Sequence, residues 1–319
     1  MSLVLFHQNV AAKNERADEL KATFIQQQVD KGMSEQYITK LLGKAKYHQQ
    51  IIDSISRPWE AKPWHQYYPI FLTEKRLQAG VKFWRQHKST IEQAAEKFQV
   101  DPQTIVAIIG VETFYGAYLG KYPVLDSLYT LGFYYPPRAK FFRSELAQFI
   151  QLAKEEKLNI NKVKGSYAGA MGYGQFISSS YRHYAVDFDQ NGSRDLINSP
   201  ADAIGSVANY LHKHGWKKGA PVALKLVSTT NKIERNKIWN KKKLKFKASD
   251  ILTKDLHLAH NFDLDVAQPA MLVELQQPTA KEYWLGLKNF YVITRYNHSP
   301  LYAMAVYQFS EQLKQAYEK

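Results

Sequence analysis

Asp101-Pro102-Gln103-Thr104-Ile105-Val106-Ala107-Ile108-Ile109-Gly110-Val111-Glu112-Thr113-Phe114-Tyr115-Gly116 reads as a helix that carries an acid on its apolar side. Asp101-Pro102 is a helix start, because aspartate caps free amides and proline suits the first turn. Ile105, Ile108 and Ile109 precede Glu112 by seven, four and three residues, a spacing that puts all four on one stripe. Burial disfavours an ionised carboxyl, so a glutamate there stays protonated near neutrality and can donate to a departing sugar oxygen. The residues alone allow a second reading, in which Glu112 lies at the stripe's edge, reaches water and pairs with a lysine. Phe114 and Tyr115 add aromatic surface beside it.

Downstream stands Gly165-Ser166-Tyr167-Ala168-Gly169-Ala170-Met171-Gly172-Tyr173-Gly174-Gln175-Phe176, too glycine-rich for a helix. Its glycines allow close backbone approach to a ligand, and Ser166, Gln175, Tyr167 and Tyr173 offer hydrogen bonds and stacking. The Lys-Ser/Thr ending of a phosphate loop is missing. A tight turn region is the plainer reading.

Outward from these motifs the chain divides into three segments. Residues 1–88 form a helical lobe, with Ser34, Thr73 and Ser89 as helix caps and a turn-rich break from Arg57-Pro58-Trp59 to Lys62-Pro63-Trp64. Residues 89–218 and 281–319 make the core and a last helix from Ser299-Pro300 to near Tyr317, reached through the β-branched and aromatic run Phe290–Thr294. Residues 219–280 are a small α/β insertion, with Lys237, Lys241, Lys242, Lys243, Lys245 and Lys247 crowded before a strand at Ala270–Leu275.

The 319 residues are 45% hydrophobic, enough for a substantial core. A formal charge of +14, from 43 Lys+Arg against 29 Asp+Glu, favours an anionic partner. The lack of cysteine excludes disulfides, thiolate metal sites and cysteine nucleophiles. No apolar run approaches the roughly 18 residues of a membrane span, and the N-terminus turns polar too soon for a signal peptide, so an exported protein would have its leader outside this sequence.

Asp187-Phe188-Asp189-Gln190-Asn191-Gly192 matches the start of an EF-hand calcium loop, with Asn198 where the pattern has a bidentate Glu. Asp187, Asp189, Asn191, the Ser193 carbonyl and Asn198 are the candidate ligands, with Asp195 direct or through water. The loss of one carboxylate implies a weak structural site. The alternative is an Asx-rich turn without metal.

Four motifs, Gly110–Gly116, Gly165–Phe176, Ala203–Tyr210 and Ile293–Ser299, together resemble the lytic murein transglycosylase B family over roughly residues 60–310. The resemblance implies a mainly α (α+β) fold: a lysozyme-like catalytic core with a helical N-terminal lobe and a small β-containing insertion. It implies Glu112 as the single catalyst, cleaving the β-1,4 bond between N-acetylmuramic acid and N-acetylglucosamine as the muramoyl 6-hydroxyl closes on C1 to give a 1,6-anhydro end. No catalytic cofactor is called for, and the weak calcium site is implied here too. By motif position Ser166, Gln175, Tyr296 and Asn297 line glycan subsites, Tyr115, Tyr173 and Phe176 are aromatic walls, and Arg138 contacts an anion or peptide stem. Family members commonly carry two basic residues there, and Pro137 departs from that.

An ordinary glycosidase needs two carboxyls, and the other three motifs supply none. Asp126 and Glu145 stay open as a second one. The implied partners are peptidoglycan strands and other cell-wall enzymes rather than nucleic acid, and the implied location is the periplasm, with outer-membrane association. The competing readings are a hydrolytic muramidase on the same core, a polyanion- or nucleic-acid-binding module built on the lysine-rich stretch, and a catalytically dead wall-binding scaffold. Intact Glu112 weighs against the last.

Overall fold

In the computed structural model of the chain, residues 2–57, 62–229, 233–234, 236–239 and 244–319 are described, with side chains from residue 15 onward. Pro58 and Trp59 of the expected turn-rich break, and Lys241, Lys242 and Lys243 of the lysine cluster, lie outside the described residues. The chain forms two compact units, one from residues 1–58 and 119–183, the other from 59–118 and 184–319. Contacts therefore draw other boundaries than the three sequence segments. The physical reason is that helices distant in sequence share apolar faces, which a reading along the chain does not register.

The first unit is helical. It contains α1 (Ser2–Val29), α2 (Glu35–Lys44), α3 (Gln49–Ile55), α8 (Val124–Tyr134), α9 (Ala139–Glu155) and the start of α10 (Ser178–Tyr184). Both α1 and α3 pack on α8, and α8 packs along α9. The ring of Phe24 meets that of Phe133 edge-on at 5.9 Å. A short antiparallel pair, β1 (Tyr122–Pro123) with β2 (Lys164–Gly165), ties the start of α8 to the glycine-rich segment. Ser34 caps α2 as expected, accepting from the Tyr37 amide.

The second unit is built around α7 (Pro102–Thr113), against which α5 (Glu74–Gln86), α6 (Lys88–Phe98), α11 (Pro200–Lys213) and α14 (Pro300–Tyr317) pack. Ile105, Val106, Ala107, Ile108 and Ile109 are all fully buried, so α7 has no solvent face here and is a central helix, where the sequence had suggested a one-sided stripe. Asp101 precedes α7 but caps it with no side-chain bond; its carboxylate accepts from the Trp216 indole at 2.8 Å. Thr73 and Ser299 cap their helices through the Arg76 and Tyr302 amides. Ser89 does not: it lies inside α6, where its hydroxyl accepts from Gln93.

The run Phe290–Thr294 is helical, within α13 (Lys288–Tyr296), despite its β-branched composition. Its hydrophobic positions are buried at helical spacing, and tertiary packing overrides the strand propensity. An antiparallel five-stranded sheet in the order β4-β6-β7-β3-β5 completes the unit, from β3 (Ala223–Ser228), β4 (Phe246–Lys247), β5 (Leu256–Leu258), β6 (Pro269–Gln276) and β7 (Lys281–Gly286). Its apolar layer, including Leu226, Leu272 and Leu285, closes against Ile251 of α12 (Ala248–Ile251). Among the described residues no helix is long and apolar enough to cross a membrane.

Candidate active site

Glu112 is half-buried and stands one residue before the end of α7. Tyr302 of α14 donates its phenol proton to Glu112 Oε1 at 2.6 Å. Tyr302 is 3% exposed, fixed at the third position of α14 by the Ser299 cap. Tyr296 stands at the end of α13, within electrostatic reach of the same carboxylate. Burial first, and then the negative charge of Glu112, hold both phenols well above the usual tyrosine range, so each remains a neutral donor. Tyr296 packs edge-on against Tyr210 at 4.8 Å, and Tyr210 donates to the Arg295 carbonyl at 2.5 Å. Asn297 Oδ1 accepts from the Ser299 amide at 3.0 Å, which ties the end of α13 to the cap of α14. One unit thus brings together Glu112, Tyr296 and Asn297 from two sequence motifs with Tyr302, which the sequence reading missed. The available signal is its place three residues into a helix whose cap and first-turn proline, Ser299 and Pro300, are legible in the sequence.

Immediately after Glu112 the backbone turns sharply. Phe114, Tyr115 and Gly116 have φ of 51°, 59° and 90°, a left-handed run in which two members carry side chains. Each such residue costs about 1 kcal/mol or more, so the surroundings must hold the turn in place. Thr113 does part of this: its hydroxyl accepts from the Gly116 amide at 3.1 Å and its carbonyl from the Tyr118 amide at 2.9 Å. The Arg76 guanidinium lies 5.1 Å from the Phe114 ring centre.

This turn sends Tyr115 inward. Its ring lies 5.1 Å from Phe83, and its hydroxyl is buried with no hydrogen-bond partner among the described residues. A Cβ placed on Gly80 or Gly110 would come within 2.3 or 2.4 Å of that oxygen. Tyr115 is therefore a wedge between α5 and α7 and not the aromatic wall the sequence suggested. The left-handed turn reverses the direction that helical continuation would have given it.

In the first unit the glycine-rich segment folds on itself. A Cβ on Gly165 would fall 2.2 Å from the Ala170 carbonyl oxygen, so the close approach this glycine permits is to the chain's own backbone rather than to a ligand. Ser166 Oγ accepts from the Ala168 and Ala170 amides, and Gln175 donates to the Leu119 and Gly172 carbonyls. Phe176 is 2% exposed and belongs to the core, which corrects its reading as an aromatic wall. Tyr173 is half-buried, and Arg138 is exposed with its guanidinium 4.3 Å from the Phe141 ring centre.

The two spare carboxylates have structural partners. Asp126 accepts from the Lys46 amide and pairs with His48 Nε2, both at 2.9 Å. Glu145 accepts from the Ser179 amide at 2.9 Å, satisfying the start of α10.

The loop at 187–198 gathers carboxylates. Oxygens of Asp187, Asp189 and Asp202 lie within 4.8 Å of one another. Asp187 also accepts from the Asn191 and Gly192 amides, and Asn191 Oδ1 from the Ser193 amide. Asn198 donates its side-chain amide to Asp195 at 2.9 Å, while Asp202, four residues beyond the loop pattern, accepts from the Phe188 and Asp195 amides. The third carboxylate thus comes from α11 and not from the loop's twelfth position. An all-oxygen donor set of this kind suits a hard cation such as calcium.

A family model described as "Transglycosylase SLT domain" matches residues 16–311. The chain belongs to this transglycosylase family. It is 41% identical over 299 residues to the membrane-bound lytic murein transglycosylase B of Escherichia coli (strain K12), covering 90% of this chain and 81% of that protein. The soluble lytic transglycosylase SltB1 of Pseudomonas aeruginosa superposes with a TM-score of 0.85 at 40% identity, covering 94% of this chain and 99% of that one. The Escherichia coli lytic transglycosylase Slt35, solved in complex with calcium, superposes with a TM-score of 0.83 at 40% identity over 94% of each chain. The mainly α, α+β lysozyme-like fold implied by the four motifs is the fold of this transglycosylase chain.

Proposed function

We propose that this transglycosylase is a periplasmic lytic enzyme that cleaves the MurNAc-GlcNAc bond of peptidoglycan through Glu112 alone. The observation that carries the assignment to Glu112 is the Tyr302 hydrogen bond, which holds a half-buried carboxyl near the end of a largely apolar, buried helix. Protonated Glu112 donates to the glycosidic oxygen as the C1–O bond breaks. The resulting carboxylate, still bonded to Tyr302, then takes the proton of the muramoyl 6-hydroxyl as that oxygen bonds to C1. The 1,6-anhydro ring forms, no water is consumed, and the glutamate ends protonated for the next turn. Asp126 and Glu145, each committed to its own unit's backbone, take no part in this cycle. Tyr296 and Asn297 are the groups we assign to the sugar beside Glu112, with Ser166, Tyr173, Gln175 and Arg138 as candidate contacts along the strand.

Tyr302 acts through Glu112 as a positioning residue. A hydrogen bond to a charged group contributes about 1.5–3 kcal/mol, so Tyr302→Phe should lower kcat about tenfold or more in release of soluble fragments from purified peptidoglycan. KM should change little, because the lost bond does not touch substrate. An unchanged kcat would remove Tyr302 from the mechanism and weaken the assignment of Glu112.

The acidic loop is proposed as a weak structural calcium site held by Asp187, Asp189, Asn191, the Ser193 carbonyl and Asp202. When bound, calcium supplies charge neutralisation that fixes the loop against α11. At about a hundredfold excess over Kd, calcium should raise Tm by a few degrees, and Asp187→Ala should abolish the shift. Equal Tm with and without calcium in the parent would make the loop an Asx-rich turn.

A further inference from the structure

In the first unit a cavity of about 570 Å³, lined by none of the residues assigned above, opens between the α1–α2 junction and the C-terminal end of α9, with Lys31, Met33, Tyr37, Ile150, Lys154 and Ile160 in its wall. A second hollow of about 220 Å³ shares Tyr37 and Ile160 with it and adds Lys40 and Lys44. The two make one groove along α2. Its floor is apolar, with Ile150 and Ile160 only 2% and 8% exposed. Tyr37, where the hollows meet, is 47% exposed.

Among the described residues no carboxylate lines either hollow. Among the described residues Lys31, Lys40, Lys44 and Lys154 have no ion-pair partner, whereas Lys21, Lys88 and Lys218 elsewhere each sit beside an acid. Four cations without an ion-pair partner among the described residues, around an apolar floor with an exposed aromatic, form a surface complementary to a short chain that alternates carboxylates with small apolar groups. The tyrosine offers an apolar face and a polar tip to such a chain.

We propose that this groove is a second wall-binding site, which holds the acidic peptide stem of a peptidoglycan strand. The inference rests on the peptidoglycan reading above and adds to it an anchoring contact distinct from the residues around Glu112. Its role is retention on the insoluble polymer, so a soluble fragment needs no such contact.

The test uses the intact chain carrying Glu112→Gln, which leaves the wall uncut, sedimented with purified insoluble peptidoglycan at moderate salt. Adding Lys40→Glu and Lys154→Glu should weaken binding about fivefold or more, and Tyr37→Ala should weaken it further. Peptidoglycan stripped of its peptides by an amidase should bind the parent as weakly as intact wall binds the charge-reversed variant. The same lysine variant with Glu112 restored should release products from a soluble disaccharide-peptide dimer within twofold of the parent's rate, which also reports its folding. Unchanged sedimentation of the variant, equal binding of the parent to peptide-free glycan, or loss of binding to phosphatidylglycerol vesicles with wall binding intact would each overturn the proposal. Absence of turnover by the parent on the soluble dimer would remove the peptidoglycan reading itself, independently of the sedimentation result.

Discussion

Glu112→Gln should leave the protein folded, with an unchanged Tm within a degree or two, and lower fragment release from peptidoglycan by about three orders of magnitude or more. The amide keeps the shape of the side chain and still accepts the Tyr302 hydrogen bond at its oxygen, so packing around α7 is preserved. It can neither give a proton to the glycosidic oxygen nor take one from the 6-hydroxyl. General acid–base catalysis contributes about 10²–10⁴-fold, and here one group serves both steps. The loss should therefore fall in kcat, with wall binding retained. Retained turnover would move the acid elsewhere in the chain.

The second large effect concerns stability. Gly80→Ala places a methyl 2.3 Å from the Tyr115 oxygen and 2.5 Å from Leu313 Cδ2, and Gly110→Ala places one 2.4 Å from the same oxygen and 2.6 Å from Cζ. Helix propensity alone would favour alanine at both sites, since glycine inside a helix costs about 0.5–1 kcal/mol. Overpacking of about 1–3 kcal/mol should win, because neither contact is to the loose end of a surface side chain. Tm should fall by several degrees in either variant. Tyr115→Phe removes a buried hydroxyl that has no partner, and should by itself leave Tm unchanged or raise it. Combined with Gly80→Ala it should restore part of the loss, so the double variant is less destabilised than the sum of the two. Strict additivity would show that the wedge described for Tyr115 is not what forbids a side chain at these glycines.

The α7 helix, the position of its acid, the strand at 270–275 and the caps at Ser34, Thr73 and Ser299 were readable because each rests on a local pattern: periodicity, a capping side chain, an apolar run. Tyr115 and Phe176 were misread for a common reason. Aromatics beside an acid or in a glycine-rich loop suggest stacking on a ligand, but the backbone direction after a left-handed turn decides whether a ring points out or in. Asp202 escaped because the calcium pattern counts positions within one loop, while the third carboxylate comes from the following helix. Tyr302 escaped because the bond to Glu112 spans 190 positions in the chain. The contact-based units differ from the three sequence segments on the same ground, since no local signal tells that α8 packs with α1 and α3 while α7 packs with α14.

One glutamate, with the sugar's own hydroxyl as nucleophile, is proposed to perform the whole reaction. Mass spectrometry of the soluble fragments released from purified peptidoglycan tests it most directly. The wild type should give 1,6-anhydromuramoyl ends and Glu112→Gln no detectable products. Reducing ends, heavier by about 18 Da for the water added, would contradict this and make the enzyme a hydrolase.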